Sequence, residues 1–231
     1  MTTAPTERLL ASIEADGHAL GAAARSGRDA TVRTCPDWTG ADLLAHVSGF
    51  ARYLAGLFAG RIPLAGPVPV VAAREAEQAW DADLAALVTL LRDTPADAPV
   101  PNWSVLPDTA SFWTRRTAQE LAVHRWDART TGEDEPDPVP ADIARDGIAE
   151  YFEAFAATAI AAGMAPRARA TVALELTDTG DRLEHHLPDP GPATVLRGSA
   201  SDLLLALWHR RDLLAHHVEG DRLVLERWPR I

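Results

Sequence analysis

The sequence predicts an α+β protein in which an N-terminal four-helix bundle is followed by a small α+β C-terminal domain. In the first half, apolar residues recur at helical spacing in four segments, whereas after Pro166 they alternate as in strands. The segment from Gly132 to Pro140 is acidic, contains three prolines and lacks an apolar cluster, which indicates a linker. We therefore predict two domains, residues 1–140 and residues 141–231.

Four helices are predicted for the first half from their apolar stripes. They cover residues 7–25, a segment from Thr39 that carries an apolar stripe to Leu54, residues 72–92, and a segment from Asp108 or Thr109 to about Arg129. The second helix has a clear start, because Thr39 and Asp42 have the spacing of a capping box. The intervening segments 31–38, 61–70 and 94–107 are expected to be irregular.

The second half alternates between helix and strand signals. Residues 141–162 are rich in alanine and are predicted to be helical. Residues 171–176 and 182–187 are predicted to form a hairpin around a turn at Thr179-Gly180-Asp181. The remaining predictions are short strands at 194–196 and 223–225, and a helix from Asp202 to Arg211 that is capped by Ser199.

Composition and charge exclude several classes of function. A net charge of −11 argues against binding to nucleic acid or to an anionic membrane, since both need a basic face. All 22 basic side chains are arginine, so a Schiff-base lysine and a Walker-type phosphate lysine are excluded. No apolar run approaches a membrane span, no secretory signal is visible, and the single cysteine, Cys35, rules out an internal disulfide. A cytoplasmic location is therefore expected.

Three side chains of the predicted bundle are candidate metal ligands. Glu120 and His124 lie four residues apart and share one helix face, while His46 lies on the second helix. Inward-facing residues of neighbouring helices can converge, and two imidazoles with one carboxylate are a common ligand set for Zn²⁺ or another divalent metal. Asp127, one turn beyond His124, is a candidate to orient that imidazole. The alternative is an ordinary surface pair of Glu120 and His124.

The segments that carry these residues resemble signatures of the mycothiol-dependent maleylpyruvate isomerase family, which belongs to the DinB-like bundle superfamily. The matching segments are Thr34-Cys35-Pro36-Asp37-Trp38-Thr39 leading to His46, residues 120–128, residues 198–205, Arg210-Arg211 and residues 218–221. The resemblance covers nearly the whole chain in the expected order. It implies a DinB-like bundle with a zinc site at His46, Glu120 and His124, and mycothiol or a related small thiol as cofactor.

The resemblance also implies a reaction, either a cis-trans isomerisation or a thiol S-transfer. The metal-bound thiolate would add to the double bond of an anionic electrophile such as maleylpyruvate, the adduct would rotate, and elimination would give fumarylpyruvate. An arginine from the C-terminal domain would bind the anion, and of Arg210 and Arg211 we favour Arg210. The family commonly has glycine just before this arginine, whereas here it is His209, a departure that bears on the substrate more than on the metal site.

Further residues have both a functional and a structural interpretation. Arg116 shares the face of Glu120 and is a candidate support for the ligands or a substrate clamp, with a simple ion pair as the alternative. Trp113 is a candidate wall of the site, and Cys35 is interpreted as a buried structural cysteine. The pairs His185-His186 and His216-His217 are predicted to lie at the surface, since adjacent strand residues face opposite ways.

The sequence leaves other functions open on the same fold. One is a non-catalytic protein that binds a small ligand, and another is a thiol-independent hydrolase that uses a metal-activated water. For the enzyme we expect a small-molecule substrate that is an anionic electrophile, and a monomer or homodimer.

Overall fold

The computed structural model describes residues 3–132, 135–163, 169–189 and 191–226. The chain divides into two compact units. The helical unit comprises Pro5–Trp103 and Pro107–Asp137, and the mixed unit comprises Met1–Ala4, Ser104–Leu106 and Pro138–Ile231. The helical first part and the sheet of the second part confirm the predicted α+β class. Within the described ranges, no helix combines the length and apolarity needed to cross a membrane.

Four long helices build the helical unit, as predicted. They are α1 (Thr6–Ser26), α2 (Gly40–Phe58), α3 (Ala73–Asp93) and α4 (Ala110–Arg129). Helix α1 packs mainly against α4, and α2 packs mainly against α3. The predicted capping box starts α2: the Thr39 side chain accepts a hydrogen bond from the Asp42 amide, and the Asp42 carboxylate accepts one from the Thr39 amide. This cap fixes where α2 begins and so sets the rotation of its side chains, including His46.

A two-stranded hairpin precedes α2, where the sequence predicted an irregular segment. Strands β1 (Thr31–Val32) and β2 (Cys35–Thr39) pair antiparallel. The prediction was wrong because β1 is too short to show alternation and Pro36 interrupts the pattern of β2. The hairpin places Asp37 and Trp38 directly before the first turn of α2.

The mixed unit begins with a helix that changes its winding. Helix α5 (Ala141–Glu150) continues through a π-helical turn, Tyr151–Ala156, into α6 (Ala157–Ala161). Strands β3 (Arg169–Leu176) and β4 (Arg182–Pro188) form the predicted antiparallel hairpin. Strand β5 (Ala193–Gly198) pairs parallel to β3, and β6 (His217–Glu219) pairs antiparallel to β5, which gives the sheet order β4-β3-β5-β6.

Helix α7 (Ala200–Leu207) starts at the predicted cap, Ser199, but ends four residues before the predicted Arg211. His209 adopts a left-handed conformation with φ 58°, the amide of His209 donates to the Ala206 carbonyl, and the amide of Arg210 donates to the Leu205 carbonyl. This pair of bonds is a Schellman motif, which usually has glycine at the left-handed position. The end of α7 was missed because the sequence has histidine there.

The last predicted strand, residues 223–225, is also wrong. Residues Leu223–Glu226 form a short helix, α8, and the strand that completes the sheet is β6. Gly220 has φ 107°, and a Cβ atom there would lie 2.5 Å from the Ala193 carbonyl oxygen. The chain therefore turns away from the sheet directly after β6, and Leu225 is buried on the helix instead.

Two of the four paired histidines, His185 and His216, are half-buried, although all four were predicted to lie at the surface. The ring of His185 stacks on that of Phe152, with ring centroids 4.7 Å apart, whereas His186 on the opposite face is exposed. His216 is half-buried, and His217 is exposed and pairs with Glu219. Burial, with a smaller effect from His186, lowers the pKa of His185 to about 4.

The half-buried His185 is expected to make the protein less stable in acid. The unfolded chain takes up a proton near the ordinary pKa of about 6.5 and the folded one only near 4, so this stability is present above pH 6.5 and is lost as the pH falls towards 4. Because the ring is partly exposed, we expect a loss of roughly 1–2 kcal/mol between pH 7 and pH 4.5. Denaturant unfolding at the two pH values measures it. His185→Phe should show a correspondingly smaller loss, and an unchanged pH dependence in that variant would contradict the assignment.

Candidate metal centre

Helices α2 and α4 bring His46, Glu120 and His124 together. Glu120 Oε1 lies 3.1 Å from His46 Nε2 and 3.2 Å from His124 Nε2, and one potential ligand atom from each residue lies within 4.8 Å of the others. Ligands at about 2.0–2.1 Å in a tetrahedral site around Zn²⁺ are about 3.3–3.4 Å apart. The two distances to Glu120 come close to this spacing, so the three residues fit a small divalent metal with a coordination position left open.

His124 is held in place from behind by Asp127. The Nδ1 atom of His124 lies 2.9 Å from Asp127 Oδ2, and the other carboxylate oxygen accepts a hydrogen bond of 2.6 Å from the Thr34 hydroxyl. Asp127 is fully buried. The hairpin therefore fixes the carboxylate, the carboxylate fixes the imidazole, and Nε2 is left to face Glu120 and a metal.

Glu120 divides its two oxygens between different partners. Oε1 faces the two histidines, while Oε2 lies 3.3 Å from Nη2 of Arg116, one turn earlier on α4. Arg116 is buried, so its guanidinium is held beside the site instead of extending into water. This arrangement orients Glu120 with one oxygen directed to the ligand position and offsets part of its charge.

The electrostatics of the cluster favour ionised side chains. Burial alone would raise the pKa of Glu120, but the charge of His124, hydrogen bonds from both histidines and the charge of Arg116 hold this pKa well below its ordinary value. Burial would lower the pKa of His124, but the charge of Glu120 and the hydrogen bond to Asp127 raise it to about 9. Without a metal, a protonated His124 thus supplies positive charge between two carboxylates, a role that a divalent cation can take over.

A cavity of about 500 Å³ opens beside His46. Its walls come from the end of β2, the first turns of α2 and the segment 68–71. The Trp38 indole lies against the site, with its ring centroid 4.9 Å from that of His46 and 6.4 Å from that of His124. Sequence reasoning missed the segment 68–71, because a proline-rich loop gives no sign of what it packs against.

Gly49 allows the backbone of the segment 68–71 to pack directly against α2. A Cβ atom at Gly49 would lie 2.5 Å from the Pro69 carbonyl oxygen, so any side chain there would displace the loop backbone from α2. Gly49 follows His46 by three residues on the same helix and therefore shares its side. A close approach of this kind could have been suspected from a glycine inside an otherwise apolar helix.

Four other residues singled out from the sequence lie outside the ligand cluster. Trp113 is buried, and its indole nitrogen donates to the Pro101 carbonyl; it is not among the described residues that line the cavity. Cys35 is half-buried in β2, although the sequence predicted a buried cysteine. In the mixed unit, Arg211 Nε lies 2.9 Å from Asp202 Oδ1, and Arg210 donates through Nη1 to the Trp208 carbonyl at 2.8 Å.

Asp127→Asn is expected to weaken metal binding while preserving the fold. Asparagine has nearly the same shape and retains an acceptor for Thr34, but it loses the charge that makes His124 a strong ligand. Removing such an outer partner typically costs 10–100-fold in metal affinity, and competition against a chelator measures it. Asp137→Asn, an equal charge change at an exposed residue, is the matched control and should leave the affinity unchanged. Equal affinities in wild type and Asp127→Asn would contradict the role of Asp127.

Comparison with known families and structures relates both parts of the chain to one group of proteins. Residues 9–129 match the family model described as the mycothiol maleylpyruvate isomerase N-terminal domain, and residues 142–227 match the one described as the MDMPI C-terminal domain. No curated protein sequence matches significantly.

Two solved structures share the fold across nearly the whole chain. A crystal structure of a histidine-to-alanine mutant of the mycothiol-dependent maleylpyruvate isomerase is 15% identical, with a TM-score of 0.70, and the match covers 95% of this chain and 96% of that chain. A second crystal structure of the mycothiol-dependent maleylpyruvate isomerase is 18% identical, with a TM-score of 0.65, and the match covers 91% and 93% of the two chains. At these identities the likeness shows the fold.

Proposed function

This chain belongs to the mycothiol maleylpyruvate isomerase family, and from that premise we propose that it is a zinc-dependent enzyme that uses mycothiol or a related small thiol to isomerise a small unsaturated acid. The observation that carries the proposal is the convergence of His46, Glu120 and His124, with ligand atoms at metal-binding separations. We assign the metal site to residues 1–140 and the arginine that binds the substrate to residues 141–231.

We propose separate roles for the residues that bind the metal, orient its ligands and bind the substrate. His46, Glu120 and His124 hold the metal, while Asp127 and Arg116 fix the orientation of the ligands. A bound zinc ion would supply the positive charge that keeps a thiol deprotonated, and therefore nucleophilic, at neutral pH. Arg210 binds the carboxylate of the substrate and the negative charge that develops on addition to its double bond.

The proposal is tested with purified protein and three measurements. Stoichiometric divalent metal should be found after zinc supplementation, mycothiol should bind to the metal-loaded protein, and maleylpyruvate should be converted to fumarylpyruvate only when the thiol is present. Protein without metal after supplementation would overturn the proposal. Metal without thiol affinity would favour the ligand-binding protein or the hydrolase instead, and a stable thiol adduct as product would indicate S-transfer.

A further inference from the structure

The cavity beside His46 is lined by carboxylates and apolar side chains, which favour some classes of ligand over others. We propose that it binds the part of the thiol that carries hydrogen-bond donors, such as hydroxyl or ammonium groups, and that it excludes anions. The inference deepens the proposed function, since it rests on a thiol at the metal centre and names the character of the rest of that molecule.

The first argument is charge. Asp37 and Asp42 line the cavity, and no arginine is among the described residues around it. Asp42 accepts hydrogen bonds from the Thr39 amide and hydroxyl, which hold its pKa below the ordinary value, so it is a carboxylate at neutral pH. Two carboxylates accept hydrogen bonds from hydroxyl and ammonium groups and repel a carboxylate or phosphate.

The second argument is the apolar wall. Val68 and Val70 are 48% and 99% exposed, although valine is usually buried, whereas Val71 is buried and anchors the segment. Gly49 keeps this segment against α2, close to His46. Together with the Trp38 indole, the valines offer C–H-rich surface for the carbon skeleton of a ligand while the carboxylates receive its polar hydrogens.

The acidic and apolar walls together indicate how a thiol would be oriented in the site. Its sulfur would lie at the ligand cluster and its donor-rich body would lie in the cavity beside Trp38 and Asp37. The carboxylates of an anionic electrophile would be repelled from this cavity, which is consistent with an arginine elsewhere in the chain as their partner.

Quenching of Trp38 fluorescence tests the charge selectivity without metal or thiol. The difference between wild type and Trp38→Phe isolates the Trp38 signal. With each quenching constant divided by that of free N-acetyltryptophanamide, this signal should be quenched more strongly by Cs⁺ than by iodide at equal ionic strength. Asp37→Asn should reduce the Cs⁺-to-iodide ratio by about tenfold, because one charge at roughly 6 Å in water changes the local concentration of each ion by about threefold in opposite directions. Asp97→Asn, which changes an exposed aspartate that does not line the cavity, is the matched control. If Trp38→Phe does not fold, the comparison of wild type with Asp37→Asn decides.

Binding of small thiols to the cobalt-loaded protein tests the ligand class. Thioglycerol offers hydroxyls, cysteamine an ammonium group, and 3-mercaptopropionate a carboxylate on a chain of similar length. We expect the first two to bind more tightly than the third. Asp37→Asn should reduce this discrimination by about threefold for the neutral thioglycerol and by about tenfold for the cationic cysteamine. Whether thioglycerol or cysteamine binds more tightly then shows whether the cavity prefers hydroxyl or ammonium groups.

The outcomes separate the two proposals. Normalised iodide quenching as effective as normalised Cs⁺ quenching, or thiol discrimination that Asp37→Asn leaves unchanged, overturns the inference. Selective quenching without any thiol binding supports an anion-excluding cavity, overturns its assignment to a thiol and removes the proposed function. Thiol binding without selectivity keeps the proposed function and overturns the inference.

Discussion

Replacing His124 with alanine is expected to release the metal. The three proposed ligands come from two helices, and His124 is the one whose second ring nitrogen is fixed by a buried carboxylate. Loss of a supporting partner alone typically costs 10–100-fold in metal affinity, so loss of the ligand itself should cost at least about 100-fold. Purified His124→Ala should therefore contain no stoichiometric metal and show no thiol-dependent turnover.

The effect on stability separates a lost ligand from a damaged fold. His124→Ala leaves Asp127 buried without its imidazole partner, which should cost about 1–3 kcal/mol of the free energy of unfolding. His46 is more exposed and lies beside Glu120, a carboxylate that is only partly buried, so His46→Ala should lose the metal with a smaller loss of stability. His18→Ala, at an exposed histidine of α1, is the control that should keep both metal and stability. Stoichiometric metal in His46→Ala and His124→Ala would contradict the ligand assignment.

The sequence was most informative where the relevant signal is local. The spacing of Glu120 and His124 placed both on one face of α4, and the capping box at Thr39 correctly placed the start of the helix that carries His46. These features depend on helical geometry over one or two turns, which residue types reveal directly.

The interactions that support the ligands were not accessible in this way. Thr34 and Asp127 are 93 residues apart in sequence, and no local pattern in either segment predicts their hydrogen bond. The Pro69 carbonyl approaches Gly49 from a loop without periodicity. Such contacts arise from packing between distant segments, so the sequence suggested that Asp127 acts on His124 but not what holds Asp127, and it gave no account of the cavity wall.

The same limit explains the errors in the mixed unit. The stop signal of α7 was absent because His209, and not glycine, adopts the left-handed conformation. Strand β6 is only three residues long and is defined by its pairing with β5, a long-range contact without a local pattern. The end of α7 also determines where Arg210, the arginine proposed to bind the substrate, follows the helix.

Arg210→Ala is expected to reduce kcat/KM for the anionic substrate by about 100-fold or more, the usual effect of removing one group that stabilises developing negative charge. Arg210 follows the Schellman motif at the end of α7 and donates through Nη1 to the Trp208 carbonyl, and Arg211 Nε lies 2.9 Å from Asp202 Oδ1. The choice of Arg210 comes from the family resemblance, and the two alanine variants decide between the arginines.

The neighbouring arginine provides the matched control. Arg211→Ala removes the same number of charges one residue away and should change kcat/KM by less than about threefold, because the expected loss is that of an exposed ion pair worth up to about 1 kcal/mol of stability. Both variants should bind metal and thiol like wild type, since neither residue belongs to the ligand cluster. Arg210→Lys should recover only part of the activity, as an ammonium group replaces one charge but not the bidentate geometry. A larger loss in Arg211→Ala than in Arg210→Ala would transfer the role to Arg211, and the Asp202 ion pair would then have to open when the substrate binds.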